Sequence, residues 1–137
     1  MVNATDLAVP DYSKPFVIHT DASDVACAAA LSQENDSGVL KPLAFTSAKF
    51  SGPQVRWATI EKEAFAIVHA LQQFRVIVFG HRIILYTDNN PLQFLSSQLP
   101  RSPKLARWSL SLLPYDVEVR HVSGQSNVVS DFLSRSF

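Results

Sequence analysis

Phe16-Val-Ile-His-Thr-Asp-Ala-Ser23 is an apolar, β-branched run that stops at one carboxylate, Asp21, and passes at once into small polar residues. A strand of that makeup belongs in the middle of a sheet. An ionised carboxylate at its end is costly there without a cation or strong donors. The same pattern returns in Arg82-Ile-Ile-Leu-Tyr-Thr87, an apolar strand that reaches Thr and then an acid, Asp88. Two buried strands ending alike in Thr-Asp point to a shared cation.

Between them lies the clearest helix, from about Thr59 to Phe74, with Ile60, Ala64, Ile67, Leu71 and Phe74 on one apolar stripe. At 100° per residue, Glu63 falls roughly 60° from the stripe's centre and Glu61 roughly 100° to the other side. Glu63 is therefore the acid at the edge of the core, and Glu61 is expected to face water. Thr59 is the expected N-cap. A last helix, capped by Asn127, carries Asp131 in its first turn and the apolar pairs Val128/Phe132 and Val129/Leu133.

The rest of the chain fits a layered α/β domain. Residues 1–15, with two prolines and no periodicity, read as a lead-in. Ala26-Cys-Ala-Ala-Ala-Leu-Ser-Gln33 could be helix by propensity. It is read as a strand because Glu34-Asn-Asp-Ser-Gly38 makes a hairpin loop into a strand over 39–45. Ser51-Gly-Pro53 breaks the chain, and Gly80 ends the link to the second Thr-Asp strand. Asn89-Asn90-Pro91 starts a short helix. Ser102-Pro103 opens another, with Leu105, Trp108 and Leu112 on one side and Arg101, Lys104 and Arg107 three apart. Tyr115, Val117, Val119 and His121 alternate with charged residues in a final half-buried strand.

Composition sets the outer bounds. The 137 residues suit one domain, 47% hydrophobic and 18% charged, as in a soluble globule. No apolar run approaches the ~20 residues of a membrane span, and the first residues lack a secretory pattern. Cys27 is the only cysteine, which excludes an internal disulfide and suits a reducing, intracellular setting. Twelve basic and twelve acidic residues cancel, which argues against an autonomous, tight nucleic-acid binder. If four acids hold metal, twelve bases face eight acids, and modest phosphate affinity is allowed.

At the carboxyl edge of such a sheet, Asp21, Glu63, Asp88 and Asp131 are expected to converge. Four carboxylates together repel unless cations sit between them. Mg²⁺ takes oxygen ligands, keeps waters and completes its shell with phosphate. Two such ions ~3.5–4 Å apart activate a water and stabilise the leaving oxygen of a phosphodiester.

The chain resembles the ribonuclease H domain of reverse transcriptases from gypsy-type LTR retrotransposons over nearly its whole length. The matching stretches are Lys14-Pro-Phe, Thr20-Asp-Ala-Ser-Asp24, Ala44-Phe-Thr-Ser47, Trp57-Ala-Thr-Ile-Glu-Lys-Glu-Ala-Phe-Ala-Ile-Val68, Phe74-Arg, Gly80, Thr87-Asp88, Pro91-Leu92, Arg107-Trp108 and Gly124-Gln-Ser-Asn-Val-Val-Ser-Asp-Phe-Leu-Ser-Arg135. The resemblance implies an α/β, ribonuclease H-like fold: a five-stranded mixed sheet flanked by helices, with residues 16–135 as the catalytic domain. It implies hydrolysis of the RNA strand of an RNA–DNA hybrid, with Asp21, Glu63, Asp88 and Asp131 as catalytic residues and ligands of two Mg²⁺, Mn²⁺ being able to substitute. His121, ten residues before Asp131, stands where retroviral enzymes of this kind place a histidine for proton transfer or product release; a structural histidine is the other reading. His19, His69 and His81 match no functional position.

Ser23, Asn89, Asn90 and Gln93 are candidate readers of 2′-hydroxyls in the hybrid's minor groove, and Arg101, Lys104 and Arg107 candidate phosphate contacts. For these bases a solvated helix face is the alternative. The expected partners are the hybrid and the polymerase domain of the same polyprotein, with no membrane, a monomeric isolated domain and a cytoplasmic retroelement particle as the setting. Departures from the family are Ala26 and Ala28 where glycines are usual, Ser130 for alanine and Asn89 for histidine. A catalytically silent connection module, or a DNA-directed nuclease of the same fold, are the rival readings.

Overall fold

The computed structural model describes residues 9–87 and 103–121, with the backbone alone at His121. Asp88, Asn89, Asn90, Gln93, Arg101 and Asp131, with the helices expected near 91 and 128, lie outside the described residues. Five strands form one mixed sheet: β1 (Phe16–Ala22), β2 (Ala26–Glu34), β3 (Leu40–Lys49), β4 (Arg82–Thr87) and β5 (Asp116–His121). Their spatial order is β3-β2-β1-β4-β5. β1 pairs antiparallel with β2 and parallel with β4, and β4 pairs parallel with β5.

The alanine-rich segment is a strand, because the loop after it closes a hairpin. Asn35 Oδ1 accepts from the Ser37 and Val39 amides at 2.9 and 3.0 Å, and Gly38 takes φ +80°. Ala26 and Ala28 stand in extended, buried backbone, so a side chain in place of the family's glycines is accommodated there. β3 runs on to Lys49, beyond the expected end at 45. Its pairing with β2 continues from Ala29 opposite Thr46 to Ala26 opposite Lys49. Earlier in the strand Leu31 faces Ala44 and Ser32 faces Pro42, a bulge that leaves Leu43 as the extra residue, turned into the core.

Among the described residues, four helices accompany the sheet: α1 (Gly52–Val55), α2 (Thr59–Gln73), α3 (Arg75–Val78) and α4 (Pro103–Ser111). Ala64, Ile67, Leu71 and Phe74 of the expected stripe are buried, and Ile60 is half-buried. Ile67, Ala70 and Leu71 pack with Phe16, Ile18, Ala29, Leu31, Ile83 and Leu85. The N-cap is Ala58, one residue before the expected Thr59. Alanine has no acceptor to offer; instead Glu61 Oε1 reaches back to the Ala58 amide at 3.1 Å. α4 covers a second flank of α2 through Leu105 against Ala64, with Trp108 and Leu112 beside them. The lead-in is fastened by the buried Gln33 side chain, whose Nε2 donates to the carbonyls of Asp11 and Lys14 at 2.8 and 3.1 Å.

Candidate active site

Strand pleating sorts β1 into two faces. Phe16 and Ile18 meet α2 in the core, while Val17 and His19 line a groove of about 810 Å³ on the other face. Asp21 falls in the second set by alternation. Its carboxylate accepts from the Ala22 amide at 3.0 Å, and the residue is half-buried.

Helix α2 runs antiparallel to β1. Its later residues, Ile67 to Phe74, share a cluster with Phe16 and Ile18, whereas Phe65 and Ala66 pack with Ala22 at the strand's end. Still earlier, Lys62 Nζ donates to the carbonyl of Asp24 at 2.8 Å, just past β1. The N-terminal turns of α2 therefore stand at the carboxyl end of β1, and Glu63 is delivered to the edge that carries Asp21. Glu63 is 7% exposed, as its place beside the apolar stripe predicts. Glu61 does not simply face water: it caps the helix and lies 3.7 Å from Lys104 Nζ.

The parallel pairing brings two further strand ends to this edge. Ile18 faces Leu85 and His19 faces Tyr86, so β4 ends beside β1, with Thr20 and Thr87 both buried. β5 ends there too, its His121 in register with Thr87. Asp21, Glu63, the end of β4 and the backbone of His121 thus share one end of the sheet. Among the described residues no group of three or more His, Cys, Asp or Glu could hold a metal. Two of the four expected acids lie within the described part, and their oxygens are the hard donors that Mg²⁺ takes, so the donor chemistry fits.

The substrate candidates are already engaged to different degrees. Ser23 Oγ closes the turn after β1, accepting from the Val25 and Ala26 amides at 3.3 and 3.1 Å and donating to the Ala26 carbonyl at 3.2 Å. Lys104 sits 4.5 Å over the Trp57 ring besides its contact with Glu61. Arg107 is exposed on α4. The three other histidines are packing groups. His19 stacks on Tyr86 with ring centroids 4.9 Å apart, and burial pushes it down to about 4, so it is neutral at physiological pH. His69 stacks on Phe65, and His81 packs against Tyr12 and Phe16.

Lys62 escaped the sequence reading. It lies roughly 160° from the apolar stripe on a helical wheel, yet is 7% exposed. Its signals in the sequence are adjacency to Glu63 and a place in the matched stretch Trp57–Val68.

The family described as the RNase H-like domain found in reverse transcriptase matches residues 11–115. The Pol polyprotein of the Drosophila melanogaster transposon 412 is 40% identical over 135 residues, 98% of this chain and 11% of that protein. The corresponding polyprotein of transposon opus is 41% identical over 94% of this chain and 13% of its own length. That of transposon gypsy, from the same fly, is 35% identical over 94% and 12%. The chain thus spans about a tenth of the length of these relatives. Among solved structures, the prototype foamy virus protease–reverse transcriptase superposes with a TM-score of 0.71 at 17% identity, over 88% of this chain and 17% of that one. LC11-RNase H1, isolated from compost, superposes at 0.64 with 14% identity, over 88% and 92%. At those identities the two structures speak for the fold.

Proposed function

Because the chain belongs to the family of RNase H-like domains found in reverse transcriptase, we propose that it is the ribonuclease H of a retroelement polyprotein, cutting the RNA strand of an RNA–DNA hybrid. The single observation that carries the reading is that Asp21 and Glu63, from a strand end and a helix start, are delivered to one edge of the sheet. The parallel strand β4 ends at that edge with Thr87, and Asp88 follows it directly in sequence. A foamy viral protease-reverse transcriptase of the same fold has been solved in complex with an RNA/DNA hybrid.

Asp21, Glu63, Asp88 and Asp131 would hold two divalent ions, Mg²⁺ or Mn²⁺. Such ions supply an activated water and charge stabilisation at the scissile phosphate. The chain's own part is to keep four acids ionised at one place and to keep their positions fixed. Asp21 is anchored through the Ala22 amide, and Glu63 by the packing of α2. His121, at the end of β5, is the candidate for moving a proton or helping product leave. Ser23, Asn89, Asn90 and Gln93 follow the acid-bearing strand ends in sequence and are candidates to meet the 2′-hydroxyls that distinguish RNA. Arg101 and Arg107, with Lys104 when it leaves Glu61, are candidate phosphate contacts. The polymerase domain of the same polyprotein would keep the domain on its substrate.

Cleavage of a labelled hybrid in Mg²⁺, with and without chelator, tests the reading. Wild type should cut the RNA strand to 5′-phosphate and 3′-hydroxyl products, and Asp21→Asn should fall by about 10³-fold or more with its circular dichroism unchanged. Undiminished cleavage by Asp21→Asn would refute the site. Hybrid binding without turnover by wild type would make the chain a connection module instead.

A further inference from the structure

Lys62 is a buried ammonium on the rim of the proposed site. Its Nζ donates to the Asp24 carbonyl at 2.8 Å and stands 5.7 Å from the centroid of the Phe50 ring. The residue is 7% exposed, on the flank of α2 away from the apolar stripe. A charge so buried is costly unless hydrogen bonds and a π-face compensate it, and a plain solvent-side lysine would be left in water. The carbonyl it holds belongs to the turn at 23–25, three residues past Asp21. The helix residue next to it is Glu63.

Among the described residues, the turn's other hydrogen bonds run within it or to the segments beside the strands. The Ser23 amide donates to the Ala26 carbonyl at 2.8 Å, and the Phe50 amide donates to the Val25 carbonyl at 2.8 Å. Neither bond relates the turn to α2. Lys62 makes that connection, from the residue beside one acid to the segment beside the other.

We propose that Lys62 is a positioning residue: by clasping the Asp24 carbonyl it fixes the distance between Asp21 on β1 and Glu63 on α2, and so sets divalent-metal affinity. The inference rests on the assignment of both acids as metal ligands. A backbone carbonyl is a useful anchor for this purpose, because the clasp acts on the main chain whatever residue stands at 24. The ion pairs of a surface lysine would be screened by salt, whereas this buried contact is screened much less.

The test uses Lys62→Met, which keeps the stem and loses the donor, and Lys62→Arg, which keeps a cationic donor. Amide exchange at Ser23 and Ala26 is followed by NMR without metal. Mg²⁺ affinity is titrated by calorimetry without substrate, at a temperature where all variants are folded. Lys62→Met should exchange faster at both amides and bind Mg²⁺ about tenfold more weakly or worse, as expected when an outer partner of a metal ligand is lost. The Mg²⁺ concentration it needs for half-maximal hybrid cleavage should rise in step, and Lys62→Arg should recover much of the affinity. An affinity for Lys62→Met within about twofold of wild type overturns the proposal, even if its melting temperature falls. A wild type that binds no Mg²⁺ overturns the site itself, and the two failures are told apart by that first titration.

Discussion

Asp11 and Gln33 exchange two hydrogen bonds: the Asp11 amide donates to Gln33 Oε1, and Gln33 Nε2 donates to the Asp11 carbonyl, both at 2.8 Å. Gln33 is 5% exposed, so its carboxamide replaces water for a segment that forms no strand. Gln33→Ala leaves these backbone groups without partners. It should lower stability by about 2–3 kcal/mol in urea titrations and open the segment at 11–15 to proteolysis. A loss under about 0.5 kcal/mol would mean the clasp is dispensable.

Metal binding should register as stability. At Mg²⁺ about a hundredfold above its dissociation constant, a folded-state site gains about 2.7 kcal/mol. Wild type should therefore melt higher in Mg²⁺ than in chelator, and Glu63→Gln should lose most of that increment. Equal metal-induced shifts in the two proteins would remove Glu63 from the ligand set.

Cys27 is 1% exposed, packed with Phe50 and Ala66, and burial pushes its thiol up to about 11 from an ordinary 9.0. The unfolded chain releases this proton before the folded one does. The contribution of Cys27 to stability should therefore be constant below about pH 9 and be lost between about 9 and 11, about 3 kcal/mol at most. Cys27→Ala should flatten that alkaline limb, and in wild type the thiol should resist alkylation at pH 8 until the protein is unfolded. Rapid alkylation of the native protein would contradict the burial.

Leu71 and Val76 make a controlled pair five residues apart. Leu71 is 1% exposed against the sheet, and Val76 is 96% exposed on α3. Leu71→Ala should cost about 3 kcal/mol, and Val76→Ala about 0.5 kcal/mol or less. Denaturant midpoints for the two variants check both values.

Several features of the fold are local enough to be read from residues alone. The runs ending in Thr20-Asp21 and Thr87-Asp88 announce buried strands, because an apolar stretch and its terminal acid are contiguous. The helical wheel separates Glu63 from Glu61 because α2 does lay one stripe on the sheet. The same wheel misplaces Lys62, since α4 and the turn at 23–25 cover flanks that a single-stripe picture assigns to water. The N-cap shifts from Thr59 to Ala58 for a related reason: the Glu61 carboxylate supplies the acceptor, and only its folded position reveals that. Gln33 gives no local signal because its partners are main-chain groups eighteen or more residues away in sequence.

The bulge at Leu43 has a further consequence. It sits next to Pro42 on β3, the outermost strand of its side of the sheet. Proline has no amide hydrogen to offer a neighbouring chain, and the kink bends the strand out of a flat template. Lys41 and Lys49, both exposed on the same strand, add repulsion between like rims. A sixth strand from another copy would find this rim a poor place to zip, so β3 is guarded against edge-to-edge growth of the sheet.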